Sequence, residues 1–253
     1  MVGKGRLAGV VLVLVAAALI GAGCSAPARQ RHGMVIGIPA EHIGEYQRLH
    51  ADTRPAVLEV IEEAKIRNYS IFLGEIAPDD YYLFGYYEYV GRNHAADETM
   101  QKWWQRTDPL QQPLETRAEG EWWARWEEVF HHDGPAYEPS EIKSRHGSIV
   151  GLHEEHILAY TQMHAAVWPG VLDTLDRTGV RNYSIFLGRI EPGKYLLFSY
   201  FEYVGDDFAG DMEDMADEVT KLWWNYTDPL QSRLPGTPQG QQWKAMEQVF
   251  YTD

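Results

Sequence analysis

Arg67-Asn68-Tyr69-Ser70-Ile71-Phe72-Leu73-Gly74 returns unchanged as Arg181-Asn182-Tyr183-Ser184-Ile185-Phe186-Leu187-Gly188. The match runs outward from this octapeptide at a constant offset. His32-Gly33 reappears as His146-Gly147, Tyr46 as Tyr160, His50 as His164 and Pro55 as Pro169. Downstream, Glu88-Tyr89-Val90-Gly91 pairs with Glu202-Tyr203-Val204-Gly205. After a short insertion near residues 206–212, Trp103-Trp104 pairs with Trp223-Trp224, and Thr107-Asp108-Pro109-Leu110-Gln111 with Thr227-Asp228-Pro229-Leu230-Gln231. The copies close alike, on Val129-Phe130 and Val249-Phe250. A repeat of roughly a hundred residues is too long for a solenoid unit, whose periods run about 20–50. The chain is therefore read as a duplicated domain. Residues 31–133 form the first copy and residues 145–253 the second, joined by a linker at residues 134–144 that holds Pro135 and Pro139.

Within one copy, residues 34–38 are a short apolar run ahead of Pro39, read as a strand. Ile43, Tyr46, His50, Val57, Leu58 and Ile61 then follow helical spacing, and Pro55 breaks or restarts that helix because it lacks the backbone N–H. Residues 68–76 and 81–90 are rich in β-branched and aromatic side chains and read as two strands around a Pro-Asp-Asp turn. A second helix is predicted over residues 94–106 and a last strand over residues 125–131. The order βαββαβ is the ferredoxin-like split-βαβ arrangement. Such a sheet is covered by helices on one face only, so the other face needs a partner. A tandem copy supplies one. The predicted fold class is α+β: two ferredoxin-like repeats that form an intramolecular dimeric α/β-barrel, a pseudo-dimer.

The N-terminus reads differently. Lys4 and Arg6 precede an apolar run over residues 7–20, followed by Gly21-Ala22-Gly23-Cys24. This is the pattern of a signal peptide over residues 1–23. The lone cysteine stands where the small residues end, which resembles a bacterial lipobox. Cys24 is then the lipidation site, and the expectation is an exported protein held at the cell envelope by a lipid anchor only. Gly21 departs from the aliphatic residue usual in that motif. One cysteine excludes an intramolecular disulfide. The formal net charge of -15 becomes -17 without residues 1–23, which argues against nucleic-acid binding and against polybasic membrane contact.

Tyr46 and His50 stand four apart and share a helical face, as do Tyr160 and His164. Such a stripe suits plain packing as well as a site. His42 and His156 extend it, but His42 and His50 are two turns apart and no cysteine assists, so no metal is expected. Adjacent tryptophans on a helix point about 100° apart, so one ring of each pair belongs to the core and the other can face a pocket. Aromatic faces and phenolic hydroxyls suit sugars.

Taken together, the Tyr46/His50 helix, the Asn68-Tyr69 strand start, the Trp103-Trp104 pair and the Val129-Phe130 ending resemble the L-rhamnose mutarotase family. The second copy, with Tyr160, His164, Trp168-Pro169, Asn182-Tyr183, Trp223-Trp224 and Glu247-Gln248-Val249-Phe250-Tyr251, resembles it more fully. The resemblance implies a dimeric ferredoxin-like barrel, no cofactor and a small-molecule sugar, L-rhamnose or a related aldose. It implies His50 and His164 as general acids. It implies Tyr46, Tyr69, Trp103 and Trp104, and Tyr160, Tyr183, Trp223 and Trp224, as sugar binders. Arg54 replaces the tryptophan that precedes proline in the family pattern, which points to the second copy as the more active. Two other readings stay open at this point: a sugar-binding lipoprotein without catalysis, and an oxidative or haem-linked enzyme on the same barrel. Further self-association is also left open.

Overall fold

The computed structural model describes residues 29–53, 55–91 and 98–253. In the first repeat, strand β1 (Gln30–Gly37) leads into helices α1 (Ile43–Ala51) and α2 (Pro55–Glu63), divided where Pro55 restarts the helix. Strands β2 (Ile66–Ala77) and β3 (Asp80–Tyr89), helix α3 (Glu98–Thr107) and strand β4 (Ala124–His132) follow. The second repeat has β5 (Ser144–Leu152), α4 (Ile157–His164), α5 (Pro169–Arg177), β6 (Val180–Glu191) and β7 (Lys194–Tyr203). It continues with α6 (Phe208–Met215), α7 (Glu218–Thr227), β8 (Gln231–Ser232), β9 (Lys244–Ala245) and β10 (Glu247–Thr252). The insertion in the second copy lies largely in α6.

The two sheets face each other as the open-face argument requires. Val35, Phe72, Phe84 and Tyr86 from the first repeat and Ile149, Phe186, Phe198 and Tyr200 from the second form one buried cluster between them. Helices cover the outer faces, over Ile36, Leu83 and Ile71 on one side and Val150, Leu197 and Ile185 on the other. Alternation along each strand separates these sets, since neighbouring side chains point to opposite faces.

The edges show what the sequence pattern did not. The final strand of each repeat, read as belonging to its own sheet, is shared between the repeats. β4 pairs with β1 of its own repeat through Ala124, Arg125 and Trp126, then with β6 of the other through Glu127 to His132. Reciprocally, β9 pairs with β5, Met246 N donates to the Gly147 carbonyl, and β10 pairs with β2. The 10-stranded sheet therefore closes on itself at both seams.

The octapeptide sits at those seams. Asn68 and Asn182 adopt left-handed backbone angles, φ 53° and 47°, at the register shifts of β2 and β6. Asparagine tolerates this region better than most residues. The bulge aims both amides into the end of the barrel. There Asn182 Nδ2 donates to Glu88 Oε1 at 2.7 Å and to Glu202 Oε1 at 3.0 Å, and Asn68 Nδ2 donates to Glu202. Tyr86 OH donates to Glu88 at 2.9 Å and Tyr200 OH to Glu202 at 3.0 Å. The two tyrosine rings stack at 3.8 Å.

Further along, the two repeats touch closely. A Cβ on Gly33 would stand 2.3 Å from Cγ of Phe186, and one on Gly147 would stand 2.6 Å from Cγ of Phe72. Each glycine makes room for the octapeptide phenylalanine of the other copy. Gly33→Ala should therefore overpack the barrel and cost about 1–3 kcal/mol in chemical denaturation, a typical penalty for such a change. Adding Phe186→Leu should recover part of the loss. Unchanged stability in Gly33→Ala would contradict the packing.

Candidate active site

The site is set by where α1 and α4 end. Helical spacing stacks His50 on Tyr46, ring centroids 4.1 Å apart, and His164 on Tyr160, 3.9 Å apart. His50 Nδ1 donates to the Tyr46 carbonyl at 2.9 Å, and His164 Nδ1 to the Tyr160 carbonyl at 3.0 Å. A carbonyl only accepts, so Nδ1 carries the proton and Nε2 carries the lone pair. Thr53 Oγ1 donates to the His50 carbonyl at 2.7 Å and secures the helix end.

Both imidazoles are enclosed, 7% and 9% exposed. Burial pulls the pKa of each down to about 4, with the carbonyl partner opposing in part. Both are neutral at pH 7. The resting imidazole presents a lone pair at Nε2 and carries a proton there only after taking one up. Burial raises Tyr46, Tyr69, Tyr160 and Tyr183, so all four remain phenols and offer O–H donors.

In the first repeat a cavity of about 530 Å³ brings together Tyr46, His50, Tyr69, Trp103 and Trp104, all five of the residues predicted there. Trp103 is buried at 8% and meets His50 edge-on at 5.2 Å, while Trp104 is 40% exposed. The division between a core ring and a pocket ring is the one helical geometry demands. In the second repeat Trp223 is buried and stands edge-on to His164 at 5.4 Å; Trp224 is half-buried beside it. Tyr183 reaches the same group through Phe130, at 5.4 Å.

Phe130 belongs to the first repeat. It also lies edge-on to His164 at 5.9 Å. In mirror fashion Phe250, from the second repeat, contacts His50 at 5.2 Å and Tyr69 at 5.5 Å and lines the first cavity. The shared last strands thus carry one wall of each site across to the other copy. The Val-Phe endings are visible in the sequence, but nothing in the sequence assigns them to the opposite site.

Other walls went unassigned although their motif was visible. Asp108 and Gln111, from the repeated Thr-Asp-Pro-Leu-Gln, line the cavity. Gln111 lies at the Tyr46 hydroxyl, and Gln231 at that of Tyr160. In the second repeat neither the enclosed Tyr160 OH nor Gln231 Oε1 completes a hydrogen bond. Burial raises Asp108 and its counterpart Asp228. Trp122, Trp123 and Arg125 complete the first cavity. His42 has a structural part, with Nδ1 donating to the Leu110 carbonyl at 3.1 Å. Among the described residues no cluster of three His, Cys, Asp or Glu is placed to hold a metal ion. Arg54 and Cys24 lie outside the described residues.

Over 86 residues the chain is 34% identical to the L-rhamnose mutarotase of Lactiplantibacillus plantarum, covering 34% of this chain and 78% of that protein. It is 35% identical over 86 residues to the L-rhamnose mutarotase of Bacillus subtilis, with the same coverage. A crystal structure from Fusobacterium nucleatum, provisionally named a monooxygenase, superposes with a TM-score of 0.52 over 90% of this chain and 95% of that one. At 11% identity it speaks for the barrel fold alone. The family model for L-rhamnose mutarotase matches twice, over residues 31–132 and 145–252, and the chain belongs to that family.

Proposed function

We propose that the protein interconverts the anomers of L-rhamnose or a closely related aldose, with His164 and His50 moving the proton. The observation that carries this reading is the paired imidazole: neutral, enclosed, fixed through Nδ1, and set among phenols and tryptophans in both copies. Mutarotation needs the anomeric hydroxyl to lose a proton and the ring oxygen to gain one. Nε2 accepts the O1 proton as the C1–O5 bond breaks and the C1=O1 bond forms. The departing O5 then takes a proton from Nε2–H. Rotation about C1–C2 turns the aldehyde, and reclosure runs the transfers in reverse. One proton circulates and none is consumed.

The remaining residues bind. Tryptophan faces suit the C–H patches of the sugar, and Tyr46, Tyr69, Tyr160 and Tyr183 supply O–H donors. Gln231 beside the Tyr160 hydroxyl, like Gln111 beside that of Tyr46, orients the phenol at the floor of the site. Trp168, edge-on to Trp223 at 5.3 Å, extends the apolar wall of the second site, and with Pro169 it completes the family pattern there.

The test is anomeric exchange of L-rhamnose by magnetisation-transfer NMR. His164→Ala should cause the main loss, His50→Ala a smaller one, and the double variant should fall to the uncatalysed rate. Acid–base catalysis of this kind is worth roughly 10²–10⁴-fold. A double variant as fast as wild type would remove the mechanism. Binding without exchange in the wild type would leave a sugar-binding protein instead.

The pH profile is a second check. The catalytic form is the unprotonated imidazole, which is populated above its pKa. The catalysed rate should therefore be level through neutrality and fall as pH drops through about 4. A fall centred near 6.5, the ordinary value for histidine, would contradict the enclosed site.

We also propose that the chain is exported and lipid-anchored through Cys24, on the strength of Lys4, Arg6, the apolar run and the cysteine that ends it. Cys24→Ala should abolish palmitate labelling and release the protein from membranes. Continued labelling of that variant would sink the proposal.

A further inference from the structure

The two sites share a floor and differ at the mouth. The floor is the same in both: tyrosine, histidine, tyrosine, a tryptophan pair, an aspartate and a glutamine, closed by a phenylalanine from the other repeat. Aligning Trp103-Trp104 with Trp223-Trp224 and Gly120 with Gly240 places Trp122 opposite Gln242, Arg125 opposite Ala245 and Arg106 opposite Tyr226.

Arg125 and Trp122 line the first cavity. Trp122 Nε1 donates to Gln111 Oε1 at 2.8 Å, which fixes the indole over the pocket. Arg125, its side chain 59% exposed, meets Glu121 through Nε at 3.5 Å. Tyr87 is another wall of the cavity, and its hydroxyl feels Arg125 and Glu121 in opposite senses. Arg106 lies over the Trp103 ring at 5.9 Å. Against these cations stand Asp108, on the cavity wall, and Glu121, beside Arg125. The second mouth has Asp228 but neither arginine, and Gln241 stands where the first has Glu121.

We propose that the first cavity takes an aldose bearing a carboxylate, a hexuronic acid, held by Arg125 under Trp122, while the second takes the neutral sugar. A guanidinium fork matches a planar monoanion in two parallel hydrogen bonds. A phosphorylated sugar fits less well, because its second charge would face Asp108 and Glu121. The inference rests on the mutarotase reading and names the substrate class of one of its two sites.

The experiment uses the full chain and magnetisation-transfer NMR at pH 7. The probes are L-rhamnose, D-galacturonate, D-glucuronate, D-mannuronate and L-guluronate. At least one uronate should exchange well above its uncatalysed rate. In Arg125→Ala the ratio of uronate to rhamnose kcat/KM should fall by roughly tenfold or more, the scale of one charge-assisted hydrogen bond. Arg125→Lys should restore part of it. Added salt should raise KM for the uronate and leave that for rhamnose alone, because screening acts on the ion pair. Uronate exchange should be lost with His50→Ala rather than with His164→Ala, and Ala245→Arg should raise it. If rhamnose is accelerated and every uronate stays at background, this inference falls and the mutarotase reading stands. If no sugar is accelerated, both fall. An equal loss for both sugars in Arg125→Ala would make the arginine structural and overturn the assignment.

Discussion

Two carboxylates, Glu88 and Glu202, lie buried at one end of the barrel, 3% and 1% exposed, one from each repeat. Such groups are tolerated only when hydrogen bonds replace the water they have lost, and a buried charge left without partners costs several kcal/mol. Here the partners come from both repeats. Asn182 donates to both carboxylates, Asn68 crosses to Glu202, and Tyr137 of the linker adds a further donor. Arg145 donates to Asn68 Oδ1 at 3.1 Å, and Arg29 pairs with Glu88 at 3.3 Å. Each glutamate takes donors from its own repeat, Tyr86 for Glu88 and Tyr200 and Asn182 for Glu202, and one asparagine from the other repeat. The left-handed asparagines that reach across mark the shifts of β2 against β3 and of β6 against β7, and the ladders to the shared last strands carry their own shifts, between Glu128 and Phe130 and between Gln248 and Phe250. Register decides which face of β4 and β10 points outward. That in turn delivers Phe130 and Phe250 to the opposite sites.

This dependence explains why duplication has kept the octapeptide identical while other stretches differ. Its asparagine holds the seam, its tyrosine enters the site, and its phenylalanine packs against the glycine of the other copy. The mouths carry no such constraint. Trp122, Arg125 and Arg106 have become Gln242, Ala245 and Tyr226, and α6 sets Phe208 on His146 at 4.1 Å. The closed barrel thus joins a common floor to two different mouths.

Much of this was legible before the structure. The repeat, the strand and helix order and the facing sheets follow from periodicity and from the need to cover an apolar face. The grouping of Tyr46, His50, Tyr69, Trp103 and Trp104 followed from the family resemblance, and the cavity gathers all five. What was not legible has physical causes. Alternation identifies a strand but not its neighbour, so the division of β4 between two sheets was hidden, and with it the crossing of Phe130 and Phe250. Which imidazole nitrogen meets a carbonyl, and so where the lone pair stands, is not fixed by spacing alone. Asp108 and Gln111 stood in a conspicuous repeated motif, yet a Thr-Asp-Pro-Leu-Gln turn reads equally well as a helix end.

Each site takes a phenylalanine from the other repeat. Nuclear magnetic resonance titration of both imidazoles in Phe130→Ala puts this to the test without reference to any substrate. Phe130 lies in the first repeat but packs on His164. Its removal should admit water there and raise the pKa of His164 from about 4 toward 6.5, leaving His50 near 4. A shift at His50 with His164 unmoved would mean that each repeat builds its own site, and would contradict the shared-strand account.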